Sequence, residues 1–287
     1  MRATLDASEP ATTLVTPDHL ITLAGIALLS AWLLQTSLGR KALVGAPERH
    51  NRMAPYTPFI PFFIWLVGIS MMQSVADMFA GSLNGWQSDF LNNLVFCTGA
   101  VLSIVVMLIL AQLDFVDGLR GLGLRLKTIP KDAALAFANL LAVWPLVLAM
   151  IVATTSVGKM LQGQDFEMPQ HQELQLISES TAIPLRVLIV FLAVVVAPLL
   201  EEMLFRGLFQ TMIRSYLEQP WLAIVITSGI FASVHQNVTH WPALFMLAMG
   251  LGYAYEKSGS LWRPIFMHAL FNGVAIAATL SEQPAWI

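Results

Sequence analysis

Eight apolar runs, at approximately 19 to 36, 59 to 80, 90 to 112, 133 to 155, 184 to 204, 221 to 238, 242 to 256 and 262 to 280, take up most of the 287 residues. A helix that crosses a bilayer needs about 20 apolar residues at about 1.5 Å rise, so these runs predict an all-α polytopic membrane bundle of about eight transmembrane helices, the seventh of them short. Composition excludes the soluble alternative. Charged residues make up 11% of the chain and apolar residues 56%, against about 25% charged in ordinary soluble domains. With a mean hydropathy of +0.69, lipid must be the solvent for most of the exterior. The single cysteine, Cys97, lies in an apolar run and excludes an intramolecular disulfide framework. A net charge of -3 with no basic tract longer than a pair leaves no electrostatic footprint for nucleic acid.

Residues 1–18 contain Asp6, Glu9, Pro17 and Asp18 and only Arg2 as a cation, so they read as a polar N-terminal tail and not a cleavable signal. The loops near 37 to 58, 113 to 132 and 156 to 183 are too short to fold alone, which leaves one membrane domain. Cationic residues accumulate in short cytoplasmic loops. With eight spans and an outer N-terminus, every Lys and Arg of the 15 except Arg2, Lys159 and Arg186 falls inside, while Asp165, Glu167, Glu173 and Glu179 crowd one outer loop. Both chain ends are therefore expected outside the cytoplasm. No internal repeat stands out to support an inverted-repeat transporter.

Ionisable residues within spans are costly and usually face a protein-lined cavity. The fifth run continues its apolar periodicity past Glu201, Glu202 and Arg206 to Tyr216, predicting one long helix bent at Pro198. Adjacent carboxylates on a helix point about 100° apart, so Glu201 and Glu202 take different neighbours. Glu202 and Arg206 stand i, i+4 and can form a structural ion pair, leaving Glu201 to address another helix. The sixth run places His235 in an apolar helix, and the eighth presents His268 and Asn272 at i, i+4 on one face. Each also has a plain structural reading, as a satisfied core histidine or as helix-to-helix hydrogen bonding. Gln73, Asp77 and Asn93 lie near span ends or lack a partner at helical spacing and read as structural.

Together, Glu201, His235, His268 and Asn272 supply a general base, a proton shuttle and two donors for an oxyanion. That inventory suits hydrolysis of a peptide carbonyl by a water held between Glu201 and His235. Zinc is the chemical rival, since two histidines and a glutamate also make a metal set. No H-E-x-x-H occurs, however, so neither a metal nor another cofactor is expected. Ser228-Gly229 and Ser258-Gly259 lack the earlier glycine of a G-x-S-G turn.

At these residues the chain resembles the CAAX protease and bacteriocin-processing (CPBP) intramembrane proteases, which include the type II CAAX prenyl endopeptidases. Three motifs occur in order: E-E-x-x-x-R from Glu201 to Arg206, F-x-x-x-H from Phe231 to His235, and H-x-x-x-N from His268 to Asn272. The resemblance covers about 185 to 280 and implies a CPBP-like catalytic core over 184–282, preceded by four transmembrane helices over 19–183. It further implies a glutamate-type endopeptidase in which Glu201 and His235 activate water, His268 and Asn272 form the oxyanion site, and Glu202 with Arg206 supports them. The expected partners are a bilayer and a membrane-associated or lipidated protein or peptide, in a multi-pass protein of a prokaryotic plasma membrane. A non-catalytic scaffold or bacteriocin-immunity factor, and a transporter relaying protons through Glu201 and His235, are the other readings.

Overall fold

The structure is a computed structural model that describes residues 17–80 and 83–281; all but the last two residues of the predicted polar tail lie outside that range. The described residues form helices and connecting loops. The principal helices are α1 Pro17–Gln35, α2 Phe59–Ala80, α3 Gly85–Asp114, α4 Ile129–Gln162, α5 Gln172–Glu179, α6 Ile183–Leu217, α7 Pro220–Ser233, α8 Trp241–Ser258 and α9 Trp262–Ser281. Their ends follow local chemistry. Asn84 and Gln87 close a reciprocal capping box at the start of α3. Prolines stand in the first turn of α4, α6, α7 and α8, where the missing N–H costs nothing.

The chain is an all-α membrane protein, but among the described residues five helical stretches, not eight, are long and apolar enough to cross a bilayer: Phe59–Met78, Gly85–Asp114, Leu119–Gln162, Ile183–Leu217 and Trp262–Ser281. The expected sixth span stops at Ser233 after 14 residues. The expected short seventh instead runs for 18, with Glu256 and Lys257 in its last turn. The structure thus moves the shortness from the seventh helix to the sixth.

The α6 rod is continuous, as its periodicity predicts, yet its geometry is more than a proline bend. Leu192–Val196 and Glu202–Gln210 are wide π turns on either side of Ala197–Glu201. Pro198 cannot donate to the carbonyl one turn back and its ring crowds that carbonyl. The wide turn before it accommodates both defects. Turns of this kind concentrate at functional positions.

α6 is the axis of the bundle, touching α3, α7, α8 and α9, while α4 packs against α1, α8 and α9. Leu200, Met203, Leu204, Phe205 and Phe209 of α6 form the core with Met107, Phe231 and Tyr255. On α2 and α3, Gln73 donates to Asp77 at 3.2 Å and to Asn92 at 2.7 Å. Gln73 and Asp77, read as structural residues near a span end or without a partner at helical spacing, thus do pair at that spacing.

The two ends of the bundle differ in charge. At one end, Arg49 donates to Glu256 at 3.0 Å and Arg214 to its other oxygen at 3.3 Å. Nearby, Arg263 grips Asp132 through Nε at 3.1 Å and Nη2 at 3.0 Å, and Ser260 adds a bond of 2.6 Å. Gly123, at φ 102°, lets the chain turn tightly enough for its carbonyl to accept Leu261 N–H at 3.1 Å. At the opposite end, the segment between α4 and α6 crosses to the turn between α7 and α8, where histidines gather.

Candidate active site

The site forms where α6, α7, α8 and α9 meet. Glu202 and Arg206 project from the second wide turn of α6, their side chains 0% and 1% exposed, with Arg206 Nη1 donating to Glu202 Oε1 at 2.9 Å. Burial at this depth is tolerated only with good partners. Arg206 Nη2 donates to the Ala248 carbonyl of α8 at 3.2 Å, and the guanidinium lies 4.6 Å above the Phe231 ring of α7. One cation therefore joins three helices.

His268 lies 2.8 Å from the same Glu202 oxygen through Nδ1. A pairing with Arg206 alone is thus incomplete, because Glu202 also orients the α9 imidazole. A carboxylate only accepts, so this contact places a proton on Nδ1 and points Nε2 elsewhere. Asn272, one turn on, donates to the Ala193 carbonyl of α6 at 2.7 Å, which spends one of its two amide protons.

His235 is not inside a helix. It stands two residues past the end of α7, where its Nδ1 lies 2.8 Å from the Phe231 carbonyl. A carbonyl also only accepts, so the neutral ring keeps its lone pair on Nε2, the arrangement a base requires. Phe231 connects the two histidines, its ring centroid 4.9 Å from that of His235 and 6.0 Å from that of His268.

Glu201 differs from its neighbour. It makes no side-chain hydrogen bond or ion pair among the described residues, and its Oε2 is buried without a partner. Glu202 Oε2 and Arg206 Nε are likewise buried and unmatched. Three orphaned polar atoms within six residues mark a place that favours a polar ligand, since each unsatisfied group costs on the order of 1 to 3 kcal/mol.

The structure therefore joins Glu202, Arg206 and His268 directly and brings His235 in through Phe231, while Asn272 is tied to α6. The sequence reading missed the carbonyls of Phe231, Ala193 and Ala248, because backbone acceptors leave no mark in side-chain spacing.

All three motifs fall within residues 183–274, which match the family model described as type II CAAX prenyl endopeptidase Rce1-like. Residues 183–274 are thus similar to the Rce1-like family. The chain is 31% identical over 121 residues to the "Uncharacterized 24.3 kDa protein" of Escherichia coli, covering 41% of this chain and 56% of the relative. It is also 31% identical over 101 residues to the "Putative membrane peptidase YdiL" of Bacillus subtilis (strain 168), covering 34% of this chain and 39% of the relative. The chain thus spans little more than half, and well under half, of these two relatives. No solved structure matches it. The matched residues run from the start of α6 into α9, so every motif residue is carried by the part of the bundle that the family model covers.

Proposed function

We propose that the chain is an intramembrane endopeptidase that hydrolyses a peptide bond of a membrane-associated or lipidated protein or peptide with water activated by Glu201 and His235. The observation that carries this reading is the contrast between adjacent carboxylates: Glu202 is held by Arg206 and His268, while Glu201 has a buried, unpartnered oxygen. A base for water needs a free lone pair in a place sheltered from bulk solvent.

In this scheme water gives a proton to Glu201 as its oxygen bonds to the scissile carbonyl carbon. His235, with Nε2 open, accepts a hydrogen bond from the same water. The negative charge that develops on the carbonyl oxygen is met by His268 Nε2–H and the second Asn272 amide proton. For His268 to donate there while Nδ1 serves Glu202, the ring carries both protons, and Glu202 supplies the countercharge. Glu201 then passes its proton to the departing amine as the carbon–nitrogen bond breaks, which restores the carboxylate.

The test compares the membrane-associated peptides of cells producing the intact protein with those producing Glu201→Gln. New peptide termini seen only with the intact protein are the expected result. Identical termini in both would overturn the reading in favour of a scaffold.

A further inference from the structure

The segment between α4 and α6 is strapped over the His235 end of the bundle by histidines. Its helix α5 buries Ile177 against Leu185, Ile189 and Ile276. Ahead of α5, the Pro169 carbonyl lies 2.9 Å from His240 Nε2, and the His171 ring stacks on His240 with centroids 4.8 Å apart and planes 13° from parallel. His171 also meets His235 edge to face at 6.4 Å, and Trp241 Nε1 donates to the His235 carbonyl at 2.9 Å. The face-to-face arrangement of His171 and His240 keeps their nitrogens from converging on a single ion.

This contact suits neutral imidazoles only. The Pro169 carbonyl accepts, so His240 carries its proton on Nε2, and its Nδ1 is buried without a partner. A second proton would sit on that unmatched atom, and if both stacked rings were charged they would repel at close range. The titratable groups facing the pair are Glu173 on the strap and His235 beneath it. Glu173 lies 3.5 Å from His171 on the same segment, so it can neutralise His171 without fastening the strap to the bundle.

We propose that the strap over residues 163–182 is an acid-released cover on the His235 end of the site, closed by neutral His240 and opened when His240 takes up a proton. Burial, followed by the nearby His171, holds His240 below its ordinary value of 6.5. Its closed form is therefore fully favoured above the ordinary histidine range and is lost as pH falls below it. Glu173 is held below its usual range, chiefly by the His171 hydrogen bond, and stays ionised across that interval. Calling the covered space an active site rests on the proposed hydrolase, but the release itself does not.

The experiment is hydrogen exchange of the full chain in lipid nanodiscs, at about pH 7.5 and about pH 5.5, on either side of the histidine range and corrected for intrinsic rates. Protection of the strap amides should fall about tenfold or more at the lower pH, while α3 and α6 stay protected. His240→Phe keeps a ring for the stack and removes the proton, so its strap should respond little to pH. If that variant is unprotected at both values, His240→Gln, whose amide can still donate to the Pro169 carbonyl but cannot take up a proton, decides by the same criterion. Equal protection of the unmodified strap at both values, or an undiminished response in the deciding variant, would overturn the proposal.

Discussion

His268 Nδ1 and Glu202 Oε1 are joined at 2.8 Å across the interface of α9 and α6. The bond makes the second glutamate of the E-E pair the anchor of an imidazole as well as of a guanidinium, and it separates what the two carboxylates do when altered.

Glu201→Gln should lower turnover by roughly 100-fold to 10,000-fold, the range for loss of a general base, while expression and thermal stability stay near normal. Kinetics on purified protein with a peptide identified from cells would check this. Unchanged turnover would remove Glu201 from the role.

Glu202→Gln should act on both properties, since it strips Arg206 of its charge partner and frees His268. The unmatched cation costs about 3 to 5 kcal/mol. Adding Arg206→Met should recover part of the melting temperature but none of the activity, because His268 remains without its carboxylate. Recovery of activity in the double variant would show that His268 needs no such anchor.

Asp132→Ala should destabilise the fold by about 3 kcal/mol or more, because Arg263 loses a buried partner that is not one of the proposed catalytic residues. Turnover measured well below the melting temperature should stay within a few-fold of normal. A loss of turnover with unchanged stability would contradict a purely structural clamp.

In the proposed mechanism Glu201 and His235 activate water without a metal, so hydrolysis should persist after exhaustive chelation. Activity lost on chelation and restored by zinc would replace this mechanism with a metal-assisted one.

Reporters at 45 and 125 should read cytoplasmic, and reporters at 85 and 170 should read outside, following the distribution of lysine and arginine. Arg49, Arg214 and Arg263 share one end of the bundle in the fold. A reporter at 170 on the cytoplasmic side would invert this orientation.

The helical class, the long α6 and the motif residues could be read from apolar period and spacing, signals that depend only on local chain geometry. The end of α7 at Ser233 could not, because Val234 continues the apolar pattern and no glycine or proline stops it. Nor could the two-fold engagement of Glu202, since spacing within α6 is blind to the rotation of α9. Glu256 did carry a usable signal. A carboxylate in the last turn of a helix opposes the macrodipole and calls for a cation, here Arg49 and Arg214. Asp132, in the first turn of α4, looks satisfied by its own helix and gives no hint of Arg263.

The 14 residues of α7 span only about 21 Å, against a hydrocarbon slab of about 30 Å. Beside that helix the lipid must thin, or the polar turn carrying His235 must dip beneath the headgroups. Either way water and phospholipid carbonyls come within reach of the site at a depth that hydrocarbon would otherwise occupy. Acyl-chain length thus becomes a variable in how the protein is wetted, and short-chain bilayers should fit this side of the bundle with the least deformation.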